Sequence, residues 1–238
     1  MVWVCTKYIF GSTFSYRIPY FSSSYALSAP APSPSTVKQA LIASAINRSG
    51  NVEKGKELFE KIKSSSIVFG LPEKIIVFKA FMKRLKQKRK GQETKIKTPF
   101  GDLIERFEHT FGIREYVIYG GPLTIYMDVP EDSVEETLRT AKGVQYFGTS
   151  DSLCTCVESY VSKPNFKGCA KQIEHCKELL SEKGFVFLLL DFTKKTTFDS
   201  INPFSGKKLK KSELVLKSYL FPMEIVKRDK NCTIYHAY

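Results

Sequence analysis

Apolar and polar positions alternate over residues 2–9, with Val2, Val4, Thr6 and Tyr8 on one face and Trp3, Cys5, Lys7 and Ile9 on the other. That period predicts a strand, and a central one, because both faces carry apolar side chains. Over residues 37–46 the period changes. Val37, Ala40, Leu41, Ser44 and Ala45 recur at helical spacing and are mostly small, so this helix can lie close against a sheet. Residues 52–62 alternate Glu and Lys around Leu58, Phe59 and Ile62, the pattern of an exposed amphipathic helix. Residues 74–81 are β-branched and aromatic and predict a strand, with residues 116–129 returning as another. Acidic residues 132–136 open a short helix ending near Gly143. Strands at 153–160 and 185–192 flank a helix at 171–183, and residues 214–235 offer two more strands.

Without its insertions the order is strand, helix, strand, strand, helix, strand. This is the split βαβ order of an α+β, ferredoxin-like domain, with extra β structure at the C-terminal end. The RNA recognition module shares this order, but its aromatic signature is absent here, so bases stacked on the sheet face are not expected.

The loop before the first helix carries Pro30, Pro32 and Pro34, each fixing its own φ and keeping the preceding residue extended. Ser33 fits as N-cap and Pro34 as the first helical residue. The N–H groups of Ser35, Thr36 and Val37 then stand at a positive helix end beside two hydroxyls, a setting that suits a phosphate as well as a solvated cap. Lys38 sits in the first turn, where a cation opposes the macrodipole unless an anion lies nearby.

Charge changes the picture further. The 238 residues carry 37 Lys and Arg against 24 Asp and Glu, a net charge of +13 that calls for an acidic partner. Between residues 79 and 97, nine cations (Lys79, Lys83, Arg84, Lys86, Lys88, Arg89, Lys90, Lys95, Lys97) face one acid, Glu93. Apolar residues are sparse and Gly91, Pro99, Gly101 and Gly112 punctuate the stretch, so it reads as a protruding hairpin able to follow phosphates. The longest apolar run, residues 185–190, is far too short to span a bilayer, and the first residues lack a basic leader region, so a cytoplasmic location is expected. Cys154, Cys156, Cys169 and Cys176 lack the spacing of a zinc site. No metal or cofactor is expected.

Three local motifs resemble one known family. They are Tyr16-Arg17-Ile18-Pro19 with the Pro34-Ser35-Thr36 helix start, the segment Gly143-Val144-Gln145-Tyr146-Phe147-Gly148-Thr149-Ser150-Asp151-Ser152, and residues 192–202 followed by Tyr219-Leu220-Phe221-Pro222. The chain resembles CRISPR-associated protein family five, the RAMP-type subunit that holds the 5′ handle of crRNA in type I Cascade complexes, most nearly its archaeal type I-A branch. Two departures are Gln39, where many members have glycine, and Thr149, where a basic residue is frequent. The resemblance implies a ferredoxin-like palm from residues 1–77 and 116–238, with residues 78–115 as a basic β-hairpin thumb. It also implies crRNA, backbone Cascade subunits and the large subunit as partners, with target DNA in the assembled complex.

The expected function is non-catalytic. Arg17, Ser35, Thr36, Lys38 and the turn bearing Gly148, Thr149, Asp151 and Ser152 form one pocket for handle nucleotides, while Lys83, Arg84, Lys86, Lys88, Arg89 and Lys90 track phosphates. The rivals are a metal-independent endoribonuclease that processes precursor crRNA, and a general cationic RNA-binding protein. A nuclease requires a poised base, and the three histidines, His109, His175 and His236, fall on the arm, on a charged segment and near the last residue.

Overall fold

The computed structural model describes residues 1–19, 25–89, 91–173, 183–202 and 205–238. Its strands are β1 (Val2–Phe10), β2 (Tyr25–Ala26), β3 (Ile67–Gly70), β4 (Lys74–Gln87), β5 (Thr94–Thr98), β6 (Gly101–Glu105) and β7 (Phe107–Tyr119), then β8 (Leu123–Val129), β9 (Cys154–Val161), β10 (Cys169–Gln172), β11 (Phe185–Phe192), β12 (Leu214–Phe221), β13 (Met223–Arg228) and β14 (Cys232–Ala237). The helices are α1 (Pro34–Ser49), α2 (Val52–Ile62), α3 (Val134–Ala141) and the single turn α4 (Phe198–Ile201). No described helix is long and apolar enough to cross a membrane.

A seven-stranded sheet runs β11-β12-β10-β3-β8-β1-β9. Within it β1 pairs antiparallel with β8 and with β9, and β3 pairs antiparallel with β8. The expected internal position of β1 is thus observed, with one irregularity between Lys7 and Tyr8. Helices α1 and α2 connect β1 to β3, and α3 connects β8 to β9. In the helical layer α1 packs against α2, α3 and β11. The approach to α2 is close because Gly55 has no side chain, and a Cβ there would come within 2.6 Å of Ile46 Cδ1.

The first helix starts and stops as its sequence dictates. Ser33 caps it, accepting the Thr36 N–H at 3.2 Å, and Gly50 ends it at φ 65°, donating its N–H to Ile46 O. Its inward face buries Val37, Leu41, Ile42 and Ala45. Helix α2 is capped by Asn51 and buries Leu58, Phe59 and Ile62, leaving its Glu and Lys residues outside as the periodicity predicts.

A second sheet of five strands runs β13-β14-β4-β7-β2. Its spine is the β4–β7 ladder, paired from Ile75↔Tyr119 to Gln87↔Phe107, thirteen positions or about 40 Å at the usual rise per residue. Beyond it β5 and β6 form a small hairpin at the tip. Near the root, the aromatic rings of Phe10, Phe14 and Tyr119 lie 5.0–5.9 Å apart and join the two sheets; Phe147 and Tyr8 extend the cluster toward α3.

Several boundaries differ from the sequence expectation. The second strand of the body is β3, a four-residue run, and residues 74–81 belong instead to the second sheet as part of β4. The stretch 116–129 is not one strand: Gly120, Gly121 and Pro122 break it, so that β7 ends in one sheet and β8 begins in the other. Lys171 and Gln172 lie in β10, and residues 174–182 of the expected helix fall outside the described residues. The C-terminal segment supplies three strands rather than two, β12 to β14.

Candidate nucleic-acid interface

The turn after α3 is tied down from several sides. Phe147 is buried with its ring 4.8 Å from that of Tyr8, in edge-to-face contact. Its N–H donates to Ser152 O, the Ser152 N–H donates to Thr149 O, and the Ser15 N–H donates to Ser152 Oγ. Ser12 Oγ donates to Asp151 O. Ser152 is therefore a buried strut and not a ligand contact, which corrects the sequence expectation. What the turn leaves exposed is Gly148, Ser150 and the Asp151 side chain, with Thr149 half-buried. Gly148 has φ 77°, which favours glycine, and a Cβ there would lie 3.7 Å from Thr36 Cγ2.

Turn and helix tip thus meet. Between them lies a groove of about 220 Å³ bordered by Thr36, Gln39, Ala40, Ala43, Tyr146 and Gly148. Its floor is small, so a planar group can approach α1, and the exposed ring of Tyr146 stands at its side. Tyr146 is not among the residues that the sequence reading assigns to the site. The available signal was the Tyr-Phe pair itself, in which one ring packs inward and leaves its neighbour outside.

The helix tip offers less to an anion than its sequence suggests. The N–H groups of Thr36 and Val37 go to Ser33 Oγ and Ser33 O, and Ser33 Oγ is also bonded to the hydroxyls of Ser35 and Thr36. Ser35 is buried. The larger correction is Lys38, whose side chain is fully buried with Nζ 2.7 Å from Asp191 Oδ1 and 2.9 Å from Lys63 O. Lys217 Nζ takes Asp191 Oδ2 at 2.8 Å. Burial pulls the Lys38 ammonium below its ordinary range, and Asp191 opposes that shift. The anion that the first turn requires is an internal carboxylate from β11.

Arg17 is exposed and does not border the groove. It forms a backbone bridge with Ser28 and lines a smaller hollow of about 150 Å³ at the arm's root, together with Met82, Phe111, Gly112 and Arg114. Arg114 is a second cation there that sequence reasoning passed over.

The arm has two unlike faces. On one, the cross-strand pairs Phe81↔Ile113, Lys83↔Phe111, Leu85↔His109 and Gln87↔Phe107 follow one another. Phe81 and Phe111 are 69% and 58% exposed yet stacked at 5.6 Å, and Lys83 Nζ lies 6.0 Å above the Phe111 ring. On the other face Ala80↔Arg114, Met82↔Gly112, Arg84↔Thr110 and Lys86↔Glu108 alternate. The returning strands bring acids that the cationic window did not contain. Lys86 pairs with Glu108 at 3.6 Å, and Lys88 bonds Glu105 and Thr94 Oγ1 at 2.8 and 2.7 Å. Those bonds hold the Glu105 carboxyl below the usual carboxylate range and make Lys88 a strut between arm and tip. Arg89, Lys95 and Lys97 are exposed, whereas Lys90 lies outside the described residues.

Other chemistry is sparse. Burial pushes the thiol of Cys154 up to about 12 and that of Cys169 up to about 11, away from thiolate formation. His109 stands on the exposed arm and His236 lies 3.8 Å from Glu73, while His175 falls outside the described residues. Among the described residues no group of three His, Cys, Asp or Glu side chains is placed to hold a metal ion.

No family model matches the sequence. CRISPR-associated protein Cas5 from Archaeoglobus fulgidus is 35% identical over 235 residues, covering 97% of this chain and 96% of that protein. Among solved structures, a chain of a CRISPR RNA-guided surveillance complex superposes with TM-score 0.50 at 11% identity, over 92% of this chain and 87% of that one. A crystal structure of a CRISPR protein from Archaeoglobus fulgidus gives TM-score 0.49 at 12% identity, over 100% and 92% of the two chains.

Proposed function

This chain belongs to the Cas5 family of CRISPR-associated proteins, and we propose that it is the crRNA-binding subunit of a type I effector complex, gripping the 5′ handle without cleaving it. The observation that carries the reading is the groove in which Thr36, Gln39, Tyr146 and Gly148 converge at the junction of helix tip and turn. A small floor, one exposed ring and neutral hydrogen-bonding side chains suit an unpaired nucleotide, which presents a π-face and polar edges. The antiparallel order β3-β8-β1-β9, with helices in the two crossovers, supports a ferredoxin-like palm. On this reading the β4–β7 arm is the thumb. Its exposed rings and cations, Phe81, Phe111, Lys83, Arg89, Lys95 and Lys97, supply the stacking and charge that single strands require. The same exposed apolar face suits neighbouring subunits of the complex.

The test is binding of labelled repeat RNA and a scrambled strand of equal length, in EDTA. The expected result is tighter binding of the repeat-derived 5′ tag, with both RNAs recovered intact. Cleavage at a fixed repeat position would establish a processing nuclease instead, and equal affinity for both strands would establish a general cationic binder.

A further inference from the structure

A second hollow, of about 560 Å³, shares no lining residue with the groove and lies between the root of the arm, residues 27–30 and β11. Its size falls within the ordinary range of small-molecule sites. Val77, Lys79, Arg228, Thr233 and Tyr235 enter it from one face of the β13-β14-β4 ladder, consistent with their register. The aromatic walls are Tyr25, Phe185, Phe187 and Tyr235, with the Phe185 and Tyr235 rings edge to face at 5.5 Å. Lys79 Nζ lies 5.5 Å above the Tyr25 ring. Glu115 stands across the ladder from Lys79, and its Oε2 accepts the Ser28 N–H at 3.0 Å. Oε1 has no hydrogen-bond donor among the described residues. Arg228 and Lys230 add cations at the β13–β14 turn, beside Asp229.

A carboxylate whose Oε1 takes no bond from the described residues, set among aromatic walls and rimmed by cations, matches one ligand class closely. Adenine, cytosine and guanine each carry an exocyclic amino group that donates to a carboxylate, and uracil does not. We infer that this hollow is a second nucleotide site, which takes a base bearing an amino group against Glu115 and directs the phosphate toward Lys79 and Arg228. The inference rests on the proposed RNA-binding role and adds one further base contact at a place apart from the groove. Burial raises the Glu115 carboxyl above its usual range, so the site has already borne part of the desolvation that a ligand would impose.

The test replaces each nucleotide of the bound RNA in turn by one lacking the amino group, uridine for cytidine and inosine for guanosine, with purine riboside for adenosine. Wild-type protein is expected to lose roughly tenfold in affinity at one position, the size of a single good base contact. Glu115→Gln is expected to abolish that discrimination alone, while Tyr146→Ala lowers the preference for the repeat-derived tag and leaves the response to that one amino group intact. RNA binding with no sensitive position, or discrimination unchanged in Glu115→Gln, would overturn the assignment. Saturation-transfer NMR with CMP, AMP, GMP and UMP decides the case without depending on RNA binding. Signals from an amino-bearing nucleotide that vanish in Glu115→Gln, and weaken in Lys79→Gln only when the phosphate is present, support the site. Equal signals from all four, or none, reject it. A melting curve for each variant separates these effects from loss of fold.

Discussion

The body and the arm invert each other's use of side chains. In the body, the most deeply placed charge among the described residues is a lysine: Lys38 lies against Asp191 and Lys63 O with no solvent access, at the point where α1, α2 and β11 meet. In the arm, rings stand in solvent: Phe100 is 100% exposed at the tip, and Phe81 and Phe111 stack on the shaft while largely exposed. A buried ion pair gives modest net stability at large cost if broken, and an exposed apolar face gives none until something covers it. The body is therefore the part whose charges hold the fold. The arm is the part whose rings and cations stand in solvent, and on the proposed reading they meet RNA.

The largest expected effect tests the first half of that contrast. Asp191→Ala leaves Lys38 and Lys217 facing each other without a counterion, and a cost of about 3–5 kcal/mol is expected, as when one partner of a buried pair is removed. Chemical denaturation reads it directly. Replacing Lys38 and Asp191 together by Met and Leu should recover most of the loss, and failure to recover would mean that packing rather than charge is at stake.

The next effect tests the arm. Neutralising Lys83, Arg89, Lys95 and Lys97 to Gln should leave the melting temperature unchanged and make log K against log salt shallower by roughly 3, about 0.7 per single-strand phosphate contact. A lower melting temperature would show that these cations support the fold. Smaller still is the expected effect of Phe81→Ser together with Phe111→Ser. Stability should change by less than about 1 kcal/mol, because the rings are largely solvated already, while RNA affinity falls by about 1–3 kcal/mol per lost base stack.

The smallest effect concerns Glu115, half-buried across from Lys79. Its folded-state pKa is raised by burial, against the Ser28 hydrogen bond and Lys79, which both lower it. A raised pKa means that the folded state holds the proton to higher pH, so the stability it contributes is present in acid and lost as pH rises through the folded value. Melting of the wild type relative to Glu115→Gln should accordingly shift in favour of the wild type as pH falls from neutrality into the carboxylate range. A difference independent of pH would show that Glu115 does not titrate differently in the fold.

The parts of this structure legible in sequence were those encoded within a few residues. Ser33 and Pro34 announced the start of α1, and the Glu/Lys alternation of α2 showed which of its sides faces water. The burial of Lys38 has no local signal because its partner is 153 residues away, where no local rule reaches. The pairing of the arm's cations is hidden in sequence for a similar reason, since Glu105 and Glu108 arrive only when the hairpin closes. The four residues of β3 are too few to establish a period, and the longer β4 carries the stronger strand pattern.

The most direct measurement of the central claim is affinity for a repeat-derived 5′ tag against a scrambled strand, across a range of salt, for wild type, Tyr146→Ala and the arm-neutralised variant. The groove should govern preference and the arm should govern salt response, so Tyr146→Ala loses the preference and keeps the slope, while the arm variant keeps the preference and loses the slope. Unchanged preference in the first and unchanged slope in the second would contradict the assignment of either region to RNA.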